Sequence, residues 1–72
     1  MHKELGKRIK LVRIARDIKI VELAERSGVD KDRLSRIERG QAAARLEVLE
    51  AIAPVLGVTV AEMVAENFSV TP

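Results

Sequence analysis

The 72-residue sequence contains no cysteine, tryptophan or tyrosine, and Phe68 is its only aromatic residue. Without cysteine there is neither a disulfide nor a thiolate metal site. Without aromatics there is no platform on which unpaired bases stack, which argues against single-stranded nucleic acid as a ligand. His2 is the only histidine and sits at the very start of the chain. No metal site, no cofactor and no histidine-centred catalysis is therefore expected. Ser27 and Ser35 lack a histidine or aspartate partner at a meaningful spacing, so neither is expected to act as a nucleophile, and no small-molecule substrate is expected. No apolar run approaches the roughly 20 residues of a membrane span. Residues 1–18 are basic and periodic rather than one apolar block, unlike a secretory signal. These absences leave a cytoplasmic, non-enzymatic protein as the expectation.

What is present is charge, unevenly spread. The net charge is only +2. All 13 lysines and arginines lie in residues 1–45 beside seven acidic residues, whereas residues 46–72 carry four glutamates and no basic residue. Charge separated in this way suggests one end that meets a polyanion and another that meets protein. The plainer alternative is a small protein that solvates its first half with Lys and Arg. At this length there is one domain, with a core that is marginal by itself.

Apolar spacing makes the chain all-α, with five short helices. In residues 4–16, Leu5, Ile9, Val12 and Arg16 recur at near-helical spacing, flanked by Leu11 and Ile14. Asp17 can stop that helix in a left-handed position. A second helix covers 20–27 and stops at Gly28; a third, 31–39, is N-capped by Asp30 and stops at Gly40. A fourth covers 45–56, with Pro54 kinking or tightening its last turn before Gly57. Thr59 and Glu62 form a capping box for a fifth, about 60–66, and the remaining residues form a tail. Met63 and Leu56 are core residues.

The stretch ERSGVDKDRLSRIERG, residues 25–40, sets five basic against four acidic side chains and still keeps Val29, Leu34 and Ile37 at regular places. Helix 20–27, a turn at Gly28 and helix 31–39 have helix-turn-helix proportions, with Ala24 small where the helices cross. At about 100° per residue, Leu34, Ile37 and Glu38 share one side of the third helix. Asp32, Ser35, Arg36 and Arg39 share the other, and Lys31 and Arg33 sit at its N-terminal end.

LGKRIKLVR, ELAERSGVDKDRLSRIERG and LEVLEAIAPVLGVTVAEM, at this mutual spacing, resemble the Cro and lambda-repressor-like helix-turn-helix regulators. The resemblance covers about residues 5–64 and is most specific at Leu23-Ala24, Gly28-Val29, Ser35 to Gly40 and Leu56-Gly57-Val58. It implies a domain over residues 1–66 that binds duplex DNA as a two-fold dimer, followed by a tail over 67–72. Residues 31–39 would be the recognition helix, reading base edges through Lys31, Asp32 and Arg36. Phosphate contacts would come from Lys19, the backbone of Ile20, Arg33, Ser35, Arg39, Gln41 and Arg45. Arg13 and Glu38 match a pair that bridges the first and third helices in this family; the other reading of Arg13 is a phosphate contact. The run Lys7, Arg8, Lys10 reads either as a solvated face or as a contact.

Three features depart from the family pattern. Lys19 and Ile20 stand where a Thr and a Gln are common, and Ile20 cannot replace the Gln's hydrogen bonds. The loop after Gly40 is QAAA, residues 41–44, where the family is often basic. Asp30 and Asp32 bring negative charge near the DNA backbone. These departures keep open an alternative from another class, a protein-interaction module of antitoxin or anti-repressor type on the same fold.

The fourth helix is apolar on two sides. Leu46, Leu49, Ile52, Ala53 and Leu56 suit one face, and Val48, Ala51 and Val55 another. The second face, with Val58, Val60, Val64 and Phe68, is expected to form a homodimer interface. It would set two recognition helices roughly 34 Å apart for a palindromic operator. The alternative is that the tail folds back and covers it.

Overall fold

A computed structural model describes residues 2–65. The expected tail NFSVTP, Phe68 within it, and Glu66 lie outside the described residues. Five helices follow one another: α1 His2–Ala15, α2 Ile20–Ser27, α3 Lys31–Glu38, α4 Leu46–Leu56 and α5 Val60–Val64. Among the described residues there is no strand, and no helix is long and apolar enough to cross a membrane.

Helix ends follow from the residues that stop them. Asp17, at φ 56°, closes α1 in the left-handed region, with its N–H on Ile14 and that of Ile18 on Arg13. Gly28, Gly40 and Gly57 close α2, α3 and α4 at φ 78°, 77° and 73°, a conformation that costs glycine least. The third helix is one residue shorter than expected, because Arg39 flattens to ψ 0° ahead of Gly40. The fifth ends at Val64 rather than near 66, where Ala65 turns extended. α4 runs unbroken through Pro54, whose ring is exposed; its last turn tightens as Gly57 N–H reaches the Pro54 carbonyl at 3.3 Å.

The core gathers Ile9 and Val12 of α1, Leu23 of α2, Leu34 and Ile37 of α3, Val48, Leu49, Ile52, Ala53 and Leu56 of α4, and Met63 of α5. α1 packs on α3 and α5, while α2 packs on α3 and α4. Gly6 explains the closest of these approaches. A Cβ there would lie 2.0 Å from the Ile37 carbonyl oxygen, so no other residue lets α1 meet the backbone of α3 in this position.

The rotation of α4 differs from the expected one. Val48 is 1% exposed and belongs to the core, whereas Leu46 is 61% exposed and does not. Val48 therefore leaves the second apolar face, which keeps Ala51, Val55, Val58 and Val60 at half-buried positions and Val64 exposed. The cause is that α4 is held by α2 along one side and α5 along another. Its buried arc widens to take in Val48 and turns the first residue of the helix outward.

Candidate nucleic-acid interface

α3 is built to show one face. Asp30 caps it, its carboxylate accepting the Arg33 N–H at 3.1 Å. Val29 packs against the core in the turn that leads into it, and Leu34 and Ile37 are fully buried. On the buried side Glu38 meets Arg13 of α1: Nε to Oε2 at 2.8 Å and Nη2 to Oε1 at 3.0 Å. Arg13 Nη1 also donates to the Ile18 carbonyl at 2.9 Å. One guanidinium thus ties the entry of α2 to the last turn of α3.

Anchored from behind, α3 turns Lys31, Asp32 and Arg36 to solvent, with Ser35 half-buried among them and Arg39 exposed at its C-cap. None of the four charged groups has an ion pair among the described residues. They form a row of donors with one carboxylate near its start. A guanidinium can address two acceptors in one plane, whereas an ammonium acts as a point charge.

The flanking groups divide into two sets. Lys19 and Arg45 occupy the N-cap positions of α2 and α4, both exposed, and neither helix has a side-chain cap. The first backbone N–H groups of these helices are left to solvent or to an anion. By contrast α3 is capped by Asp30 and α5 by Thr59 and Glu62. The Ile20 side chain is half-buried against the core. Gln41 is exposed, while Ala42 and Ala44 pack inward and contribute no charge.

Arg33, expected at the N-terminal end of α3 as a phosphate contact, has an acidic neighbour. It is half-buried, and its Nη2 lies 3.5 Å from Glu47 Oε1 in the first turn of α4. The pair lies at the surface between α3 and the first turn of α4, its side chains 39% and 72% exposed. Sequence spacing did not connect Arg33 with Glu47. The available signal was an unpaired glutamate in the first turn of a helix whose cap is an arginine.

Arg8, read as part of a solvated face or a contact, and Arg16, placed on the stripe of Leu5, Ile9 and Val12, both reach carbonyls of other helices. Arg8 Nη1 donates to the carbonyls of Met63 and Ala65 at 3.0 and 2.7 Å, and Arg8 lies 3.4 Å from Glu4. Arg16 Nε donates to the Leu56 carbonyl at 3.1 Å. Both satisfy carbonyls at helix C-termini, where cations suit the dipole.

Two helices joined by the turn Gly28–Val29–Asp30, with the second clamped to the body and charged outward, define a helix-turn-helix unit within a five-helix domain. Residues 4–65 match the family described as the helix-turn-helix domain. Sixty-three residues are 39% identical to the immunity repressor protein of Bacillus phage phi105, covering 88% of this chain and 44% of that protein. The chain thus spans less than half of that relative. The clp gene regulator ClgR from Corynebacterium glutamicum superposes with a TM-score of 0.81 at 32% identity, over 86% of this chain and 66% of that one. The restriction-modification controller protein C.AhdI from Aeromonas hydrophila superposes at 0.82 with 27% identity, over 86% and 94%. The chain belongs to the helix-turn-helix domain family, of the Cro and lambda-repressor-like type.

Proposed function

We propose that this chain is a sequence-specific duplex-DNA-binding regulator of transcription that represses by occupying promoter DNA in the cytoplasm. In this reading α3 enters the major groove. Lys31, Asp32 and Arg36 address base edges, with Arg36 bidentate to guanine O6 and N7. Lys19, the Ile20 N–H, Ser35, Arg39, Gln41 and Arg45 address phosphates, and Arg33 does so once released from Glu47. Residues 1–66 are the DNA-binding domain and 67–72 its tail. No catalytic chemistry is assigned.

The observation that carries the proposal is the row Lys31, Asp32, Arg36 and, at the C-cap, Arg39, exposed and without ion pairs among the described residues, on a helix whose other side is buried. The uncapped N-termini of α2 and α4 support it. The names of the similar proteins, a phage immunity repressor, a gene regulator and a restriction-modification controller, agree with it.

Two copies related by a two-fold axis are part of the proposal, joined through Ala51, Val55, Val58, Val60 and Val64. Replacing Val55 by Asp should then give the monomer mass in sedimentation. A wild-type monomer at working concentration would remove the two-fold reading.

A second reading is favoured by the uncharged 41–44 loop and by Asp30 and Asp32 beside the interface: an antitoxin-like or anti-repressor-like interaction module. Duplex affinity across salt concentrations separates the two. DNA binding requires a steep fall with salt, and Lys19→Ala should reduce the slope by about one unit. A flat salt response would leave the interaction module as the better account.

A further inference from the structure

α1 carries two stripes, and among the described residues only one has a partner. Leu5, Ile9 and Val12 point into the molecule. Lys7, Lys10, Leu11 and Ile14 stand at i, i+3, i+4 and i+7, so they form one contiguous patch on the opposite side. All four are exposed, Leu11 at 42% and Ile14 at 56%. The arginines of the same helix, Arg8 and Arg13, are engaged with Glu4, Glu38 and backbone carbonyls, and Arg16 just after it with the Leu56 carbonyl. Lys7 and Lys10, by contrast, have no ion pair among the described residues.

This arrangement does nothing for the isolated domain. Two ammonium groups one turn apart repel each other, and two large aliphatic side chains meet water. Both defects disappear if the same surface is covered by aliphatic side chains rimmed with carboxylates. The patch also lies opposite Ile9 and Val12 on α1, whereas the proposed DNA face lies on the outer side of α3. Duplex DNA would satisfy the lysines but leave Leu11 and Ile14 without a counterpart.

We infer that the outer face of α1 docks an acidic amphipathic helix of a partner protein. Its leucine-like stripe would lie on Leu11 and Ile14, and its flanking glutamates would face Lys7 and Lys10. The inference is independent of the DNA reading, because it uses none of the α3, α2 or α4 residues assigned to DNA.

The test is a titration of the isotope-labelled 72-residue chain, followed by amide NMR shifts. The probe is a synthetic helical peptide with a Leu stripe bordered by Glu; a control peptide replaces Leu with Ser at unchanged charge. The Leu peptide should shift Lys7, Lys10, Leu11 and Ile14 at least tenfold more tightly than the Ser peptide. Lys7→Gln with Lys10→Gln should weaken it and flatten its salt dependence. Leu11→Ser with Ile14→Ser should abolish binding while leaving the circular dichroism unchanged; all four side chains are exposed, so the fold does not rest on them. Equal binding of both peptides, or shifts confined to α3, would overturn the inference. So would shifts of this patch on adding duplex DNA, or on raising protein concentration alone, which would assign it to DNA or to a second copy.

Discussion

The Arg13 guanidinium and the Glu38 carboxylate lie face to face, with two parallel contacts of 2.8 and 3.0 Å, and their side chains are only 13% and 5% exposed. The pair joins α1 to α3 behind the outward row of α3. Its third contact, to the Ile18 carbonyl, fixes where α2 begins. A buried pair of this kind stabilises less than its Coulomb attraction suggests, but breaking it strands a charge.

Glu38→Ala should therefore lower the unfolding free energy by about 3 kcal/mol, read from the urea midpoint at unchanged slope. Glu38→Gln keeps the shape and one hydrogen bond, and should fall between the two. A midpoint equal to wild type for Glu38→Ala would show that the pair does not anchor α3.

Gly6 and Gly28 separate two reasons for glycine. Gly6→Ala places a methyl group 2.0 Å from the Ile37 carbonyl oxygen, so α1 must move off α3. A loss of about 2 kcal/mol or more is expected. At Gly28 nothing lies within 4 Å of an added Cβ, and only φ 78° opposes it. Gly28→Ala should cost about 1 kcal/mol, the left-handed penalty alone. Thermal or urea unfolding of both variants ranks them, and the reverse order would contradict the packing described for α1.

Much of this was legible because helix punctuation is local. Asp17, Gly28, Asp30, Gly40, Gly57 and the Thr59–Glu62 box act within a turn of themselves, and each stands where the spacing put it. The inward Arg13–Glu38 pair came through resemblance. Rotation about a helix axis was less accessible. The pattern on α4 fits two faces, and only its contacts with α2 and α5 decide that Val48 goes in and Leu46 comes out. The contacts of Arg8 were hidden for a related reason: a long cationic side chain reads as solvated until a carbonyl from a distant helix end arrives beside it. Gly6 offered a clue in the roughly 1 kcal/mol that glycine costs inside a helix.

The capping box of α5 makes its stability depend on acid. The Thr59 N–H bond, then its hydroxyl, then the Arg16 charge hold the Glu62 carboxyl below its ordinary 4.5, against weak desolvation. A carboxyl lowered in the folded state contributes stability above its unfolded value and loses it as pH falls through the folded value. Amide-exchange protection of α5 should stay level above about pH 4.5 and decline below it. Glu62→Gln should remove that dependence; an unchanged acid profile would mean that another carboxyl governs it.

Glu47 restrains Arg33 across 3.5 Å and adds negative charge beside the uncapped start of α4. Glu47→Gln should free Arg33 for phosphate. The expected result is tighter binding to all duplexes alike and a salt slope steeper by about one unit. If affinity rises for one sequence only, Arg33 reads bases instead.

The most direct test of the central claim, that the outer face of α3 reads base edges, is selection of bound sequences from a random duplex pool by wild type and by Arg36→Ala. Wild type should enrich a palindrome whose half-site contains G·C pairs, and Arg36→Ala should lose preference at one of those positions while keeping the rest. Enrichment of no sequence by wild type, or an unchanged motif with uniformly weaker binding in the variant, would contradict it.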